Sequence, residues 1–202
     1  MTALVVVADE LDDDLVLARR TLRLRELSAA AFEADDPEET VLRVLPAVLL
    51  DLREGRRADA ATKLRAVAAR PELLAVPSYG HLLTTFVRAA LRCDDVATAA
   101  VLGTPDRADT TLRHLAQTTA AGYVAAARGD RPAALALLDG AAGRWAEVGN
   151  LVEAWHVGVR RADCLRALDD PSAAAVAADA QSLRARLLEV RGERDPVAVP
   201  AP

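Results

Sequence analysis

Aromatic side chains and lysine are nearly missing from this sequence of 202 residues. Phe, Trp and Tyr together make up 3% of the chain and Lys63 is its only lysine, although hydrophobic residues make up 52%. Much of the apolar content is alanine, which is a strong helix former but has too little volume to fill a wide core. The composition therefore favours closely packed helices over a sandwich of sheets.

Residues that carry chemistry are scarce as well. Cys93 and Cys164 lack the spacing of a metal site or a disulfide framework, so we expect them to be small buried residues. His81, His114 and His156 match no known metal-ligand spacing. None of the four serines lies in a nucleophile elbow, and no GxxxxGK[ST] loop could cradle a phosphate. We therefore expect no enzyme activity, no cofactor and no metal.

Charge and hydropathy restrict the partners and the location. The net charge of −5 and a pI near 5.3 disfavour nucleic-acid binding, which uses a basic face. No run of about 18 uncharged apolar residues is long enough for a membrane span. The start, MTALVVVADELDDD, lacks the basic segment of a signal peptide. The sequence thus predicts a cytoplasmic protein that contacts neither membrane nor nucleic acid.

One kind of turn recurs four times along the chain. A helical run ends at Gly55, Asp94, Gly129 and Asp169, a few polar or proline residues follow, and another run begins. The turns are 39, 35 and 40 residues apart, and the fifth residue after each is alanine: Ala60, Ala99, Ala134 and Ala174. Glycine suits the left-handed conformation that ends a helix. Repetition at this period predicts a helical solenoid in which these alanines lie where paired helices cross.

The third of these turns contains the tripeptide Arg128-Gly129-Asp130, which in a secreted protein could be an adhesion signal. Its three sister turns lack Arg-Gly-Asp. We therefore interpret it as a helix-to-helix turn. Asp130 and Asp170 are placed to cap the following helices, each with a proline in the first turn. Asp36 begins a similar cap, with a carboxylate three residues on.

Hydrophobic periodicity predicts the positions of the helices. Pro46 should kink its helix or delay its start, and residues 71–79, which carry two prolines, should form a longer connection. We expect helices near residues 13–34, 37–54, 57–69, 79–93, 96–102, 107–128, 131–147, 150–168 and 171–190.

Residues 110–190 resemble tetratricopeptide repeats. Gly122, Ala134 and Ala141 lie seven residues before, five after and twelve after the turn glycine Gly129, which are the small positions of that motif. In the other units Val48, Val87 and Ala162 replace the first glycine. The resemblance implies an all-α fold, a right-handed α-solenoid of about four antiparallel helix pairs. We expect one repeat domain over residues 1–190 and a disordered, proline-rich tail over 191–202.

A second resemblance suggests a cellular role. The stretch LALLDGAAGRWAEVGNLVEAWHVGVRRADCLRALDD, residues 135–170, resembles the repeat region of LuxR-type and other signal-transduction ATPase regulators and of class III adenylate cyclases. This implies a non-catalytic module that binds a protein or peptide in bacterial signalling or transcription regulation. Alternatively, the chain is the truncated sensory or relay region of such a regulator. The likeness of ADELDDDLVLA, residues 8–18, to WAEVGNLVEAW, residues 145–155, favours that alternative, since Met1 would then start inside a helix.

Five residues are candidates for a peptide-binding groove. Trp155, His156 and Arg160 follow the turn at 149–150, and Arg113 with His114 occupies a comparable place in the preceding unit. Trp and Arg dominate binding hot spots, and the first helix of each tetratricopeptide-like pair lines the concave surface. Packing between adjoining helices is the alternative interpretation of the tryptophans. The sequence indicates neither the partner nor the oligomeric state.

Overall fold

The computed structural model describes residues 36–104 and 110–192, with side chains through residue 189. Every regular element within these ranges is a helix, as the composition predicts. The predicted helix at 13–34, the segment 8–18 and residues 193–202 of the predicted tail lie outside the described residues. The helices are α1 (Pro37–Arg53), α2 (Arg57–Ala68), α3 (Pro71–Leu74), α4 (Pro77–Arg92), α5 (Val96–Leu102), α6 (Thr111–Ala127), α7 (Arg131–Leu138), α8 (Ala141–Glu147), α9 (Leu151–Arg166) and α10 (Ala173–Gly192).

Two local features differ from the predicted elements. The helix predicted over 131–147 is interrupted after Leu138, and Gly140 adopts a left-handed φ of 66° at the start of α8. The connection predicted over 71–79 contains the short helix α3 and the start of α4. Helix α1 begins at Pro37, as predicted for the helix over 37–54, and runs through Pro46 without a delayed start. Each difference depends on how neighbouring helices pack, which a local pattern does not encode.

The four recurring turns share one backbone geometry. Gly55, Asp94, Gly129 and Asp169 have φ of 77°, 59°, 83° and 55°, all left-handed. After each, the next N–H donates to the carbonyl five residues earlier, at 2.8 to 3.1 Å. This is the Schellman motif, which satisfies carbonyls that a helix end leaves without partners. The interpretation of Arg128-Gly129-Asp130 as a helix-to-helix turn is confirmed.

The small residues around these turns are buried at all but one position. Ala60, Ala99 and Ala134 are fully buried, whereas Ala174 is exposed and Ala173, at 9% exposure, takes its place. Here α10 begins at Ala173, later after its turn than α2, α5 and α7 do, and Asp170 accepts hydrogen bonds from the N–H and the hydroxyl of Ser172. The residues seven before each turn are all buried: Val48, Val87, Gly122 and Ala162.

The chain forms two compact units, Met1–Asp130 and Arg131–Pro202. In the N-terminal unit α1 packs on α2, and α4 packs on α5. Helix α4 also contacts α1 on one side and α6 on the other, while α2 contacts α5. Helices α1, α4 and α6 thus form one layer and α2 with α5 a second. The buried hydrophobic side chains between them are aliphatic apart from Tyr79, Phe86 and Tyr123, and four threonines are buried in the same unit.

Two polar contacts fix the N-terminal unit. The hydroxyl of Tyr79, which is fully buried, donates to the carbonyl of Leu102 at 2.6 Å and so ties the start of α4 to the end of α5. Asp51, near the end of α1, accepts from Arg56 Nη2 at 2.6 Å and from Lys63 Nζ at 2.5 Å. The only lysine of the chain therefore bridges α1 and α2.

The C-terminal unit is organised around α9. Helices α7 and α8 pack on one side of it, and α10 packs along the other. Gly158 permits the closest approach, because a Cβ at this position would lie 2.9 Å from Cβ of Ala180 on α10. The indole of Trp145 on α8 is 3% exposed. In both units, among the described residues, no helix is long and apolar enough to cross a bilayer.

Candidate functional site

The five residues proposed for a groove lie on two helices in different units. Arg113 and His114 occupy the first turn of α6 in the N-terminal unit. Trp155, His156 and Arg160 occupy α9 in the C-terminal unit. Each group is therefore described within its own unit.

Arg113 is buried, in contrast to the usual exposure of arginine. Its side chain lies across α4, where Nε would be 2.8 Å from a Cβ at Gly80, and Nη2 donates to the carbonyl of Val76 at 3.1 Å. Glycine at position 80 is what makes room for the guanidinium. Beside it is an open cavity of about 300 Å³ between the starts of α4 and α6, which is also lined by His81 and Leu112. Arg113 thus joins two helices as well as lining a cavity.

His114 points away from that packing. It is exposed, and the hydroxyl of Thr118 donates to its backbone carbonyl at 2.9 Å. The cavity beside Arg113 is lined by His81, not by His114. The sequence pairing of Arg113 with His114 therefore does not produce one joint site, because neighbouring helical residues point in different directions.

Helix α9 has one half-exposed face. It carries Val152, Trp155, His156, Val159 and Arg160, at the spacing of residues that share a helix face. The rings of Trp155 and His156 are 4.4 Å apart between centroids, with 34° between their planes. Trp155, His156 and Arg160 thus lie along one helix face, and the two rings are in contact. This aromatic pair flanked by valines forms an apolar strip on the surface.

Arg184 on α10 completes this face, and sequence analysis missed it. Its guanidinium carbon lies 5.8 Å from the centroid of the Trp155 ring, within the range of a cation–π contact. Within the described ranges, neither the indole Nε1 of Trp155 nor Nε of Arg184 has a hydrogen-bond acceptor. The contacts that the structure shows within this cluster are therefore the tilted ring pair of Trp155 and His156 and the cation–π contact of Arg184 with Trp155. No sequence signal connects the two residues, since they meet only when α10 packs on α9.

The arginines of α9 and α10 differ in their ionic partners. Arg161 pairs with Asp139 at 3.1 Å and Arg166 with Asp163 at 2.8 Å. Among the residues that the structure describes, no carboxylate lies within 4.0 Å of Arg160 or Arg184. Neither guanidinium is thus engaged in an ion pair with a described carboxylate. We call Val152, Trp155, His156, Val159, Arg160 and Arg184 the Trp155 surface.

Neither cysteine has the environment of an activated nucleophile. Cys164 is buried and Cys93, at the end of α4, is only half-buried, so the expected burial is confirmed for Cys164 alone. Burial raises the pKa of both thiols, which favours the unreactive protonated form. Within residues 36–104 and 110–192 no three His, Cys, Asp or Glu side chains converge as metal ligands.

No family model matches this chain, and no curated protein and no solved structure shows significant similarity to it. The geometry of its own residues is therefore the basis for assigning a function.

Proposed function

We propose that this protein is a non-catalytic helical-repeat module that binds a protein or peptide partner, as part of bacterial signalling or transcription regulation. The observation that carries the proposal is the recurrence of one turn. Gly55, Asp94, Gly129 and Asp169 all end helices with the same left-handed geometry at nearly regular spacing. Repetition of such a unit builds solenoids, and the proposed architecture is a right-handed, tetratricopeptide-like solenoid of antiparallel helix pairs.

The packing within the N-terminal unit supports the same architecture. Helix α4 contacts α1 and α6, and α2 contacts α5, so first helices adjoin first helices and second helices adjoin second helices. Each unit of a solenoid contacts mainly its neighbours, and the aligned first helices present an extended surface suited to a partner. Arg113 and His114 on α6, and the Trp155 surface on α9, are the proposed contact residues.

A selection for peptide ligands tests this proposal. The purified chain is panned against a random displayed peptide library, and the selected sequences are synthesised and titrated by fluorescence anisotropy. We expect saturable binding at one peptide per chain. Enrichment of no sequence, or titrations without saturation for all selected peptides, would contradict a peptide-binding role.

The alternative role is a sensory or relay region of an ATPase-linked LuxR-type regulator or adenylate cyclase. It is favoured by the likeness of residues 135–170 to the repeats of those proteins, a stretch that here spans the second half of α7 and all of α8 and α9. Sequencing the coding region upstream of Met1 separates the two roles. An in-frame ATPase or cyclase domain would support the relay role, whereas an unrelated gene with its own terminator would contradict it.

A further inference from the structure

We infer that the Trp155 surface is a docking site for an acidic protein segment in which Asp or Glu flanks an apolar anchor residue. The inference rests on the proposed function and names the chemistry of the partner. The inference combines two observations: the apolar strip on α9, and the guanidiniums of Arg160 and Arg184 beside it, which form no ion pair with a described carboxylate.

The apolar part of the surface suits one anchor side chain. Trp155 is half-buried and contacts the ring of His156 and the guanidinium of Arg184. Val152 and Val159 lie one turn before and one turn after it on the same face. A ring fixed in this way offers contact area at little cost in side-chain entropy, which is a property of binding hot spots.

The charged part of the surface indicates the sign of the charge on the partner segment. Arg160 follows His156 by one turn, and Arg184 covers Trp155 from α10. Neither has a carboxylate within 4.0 Å among the described residues, although Arg161 and Arg166 beside them do. Because two guanidiniums that form no ion pair with a described carboxylate remain able to bind one, an acidic segment is the complementary occupant.

The test uses a fluorescein-labelled peptide in which Leu and Phe are flanked by Asp and Glu, and an isosteric peptide with Asn and Gln. A single-stranded oligonucleotide serves as a different polyanion. The full chain is titrated with each probe at low and at physiological salt. We expect the acidic peptide to bind at least about tenfold more tightly than its amide counterpart, and salt to weaken that binding.

Charge reversal assigns the binding to this surface. The double variant Arg160→Glu, Arg184→Glu should weaken acidic-peptide binding about tenfold or more. The control Arg144→Glu, Arg186→Glu changes the net charge equally at exposed positions outside the surface and should stay within about twofold. Arg160→Glu alone leaves the contact of Arg184 with Trp155 in place. If circular dichroism shows that the double variant is unfolded, the peptide titration is carried out with this single variant instead.

Three results would overturn the inference: equal binding of the amide peptide, tighter binding of the oligonucleotide, or equal losses in the reversed and control variants. Its failure is distinguishable from that of the proposed function. If display-selected peptides bind independently of Arg160 and Arg184, the Trp155 surface is rejected as the docking site, whereas the proposed peptide-binding function stands. The absence of any binding peptide would reject both.

Discussion

Two glycines in the C-terminal unit should respond oppositely to the same substitution. A Cβ at Gly158 in α9 would lie 2.9 Å from Cβ and 3.5 Å from Cα of Ala180, whereas a Cβ at Gly143 in α8 has nothing within 4 Å. Gly to Ala in a helix gains about 0.5–1 kcal/mol because it reduces the entropy of the unfolded backbone. We therefore expect Gly143→Ala to stabilise the unit by that amount.

At Gly158 the steric cost should exceed this gain. The obstacle is a β-carbon and backbone of α10, which cannot rotate away as a long side chain could, so the helices must separate. Overpacking of this kind costs about 1–3 kcal/mol. After the propensity gain, we expect Gly158→Ala to destabilise the unit by about 1 kcal/mol. At common urea m-values this lowers the transition midpoint by about 0.5 M.

Tryptophan fluorescence measures this unit selectively. Both tryptophans of the chain, Trp145 and Trp155, lie on α8 and α9, so their emission during urea unfolding reports on the C-terminal unit. Adding Ala180→Gly to Gly158→Ala should restore space, giving a favourable coupling of about 1 kcal/mol in the double-mutant cycle. If Gly158→Ala raises the midpoint as Gly143→Ala does, the close approach of α9 and α10 is refuted.

Three further substitutions test the caps and the buried hydroxyl. Tyr79→Phe should lower the free energy of unfolding by about 1–3 kcal/mol, because the buried carbonyl of Leu102 loses its donor. Burial also raises the pKa of Tyr79, so the wild type should lose stability above about pH 10 in circular-dichroism melts. The variant should lack this loss of stability at high pH. Asp169→Gly should raise the free energy of unfolding by about 1 kcal/mol and so raise the urea midpoint, since glycine carries no steric penalty at the φ of 55° that Asp169 adopts. A lowered urea midpoint would contradict the turn geometry. Asp95→Ala should cost about 1 kcal/mol through loss of the hydrogen bond from Thr98 N–H. That hydrogen bond holds the pKa of Asp95 below its usual range. The stability that the cap contributes is therefore present above about pH 4 and is lost as the pH falls through the depressed pKa. Melting temperatures of wild type and Asp95→Ala that stay equally far apart at low pH would refute this role of the cap.

The helical class and the turns were predictable because their causes are local. Alanine, leucine and arginine favour helices at every position, and a helix end needs only a residue that tolerates positive φ. Gly55 and Gly129 meet that need without strain, and Asp94 and Asp169 accept the same conformation. The cap at Asp36, and the hydrogen bond from the N–H of Ser172 to Asp170 ahead of α10, likewise depend on atoms two residues away. Such features are contained within a few neighbouring residues, so the sequence displays them directly.

The candidate site was predictable only where its residues share one helix. Trp155, His156 and Arg160 lie on one face of α9, as helical spacing requires. Arg184 and the burial of Arg113 were not predictable, because each depends on a different helix arriving beside it.

By itself, the sequence determined that this chain is helical and where most helices end, since backbone propensity and capping act over a few residues. Only the tertiary structure decided which faces are covered. It placed Arg184 over Trp155 and left Arg160 and Arg184 without a carboxylate within 4.0 Å among the described residues. Those relations arise from contacts between helices that are distant along the chain, and no local pattern encodes them.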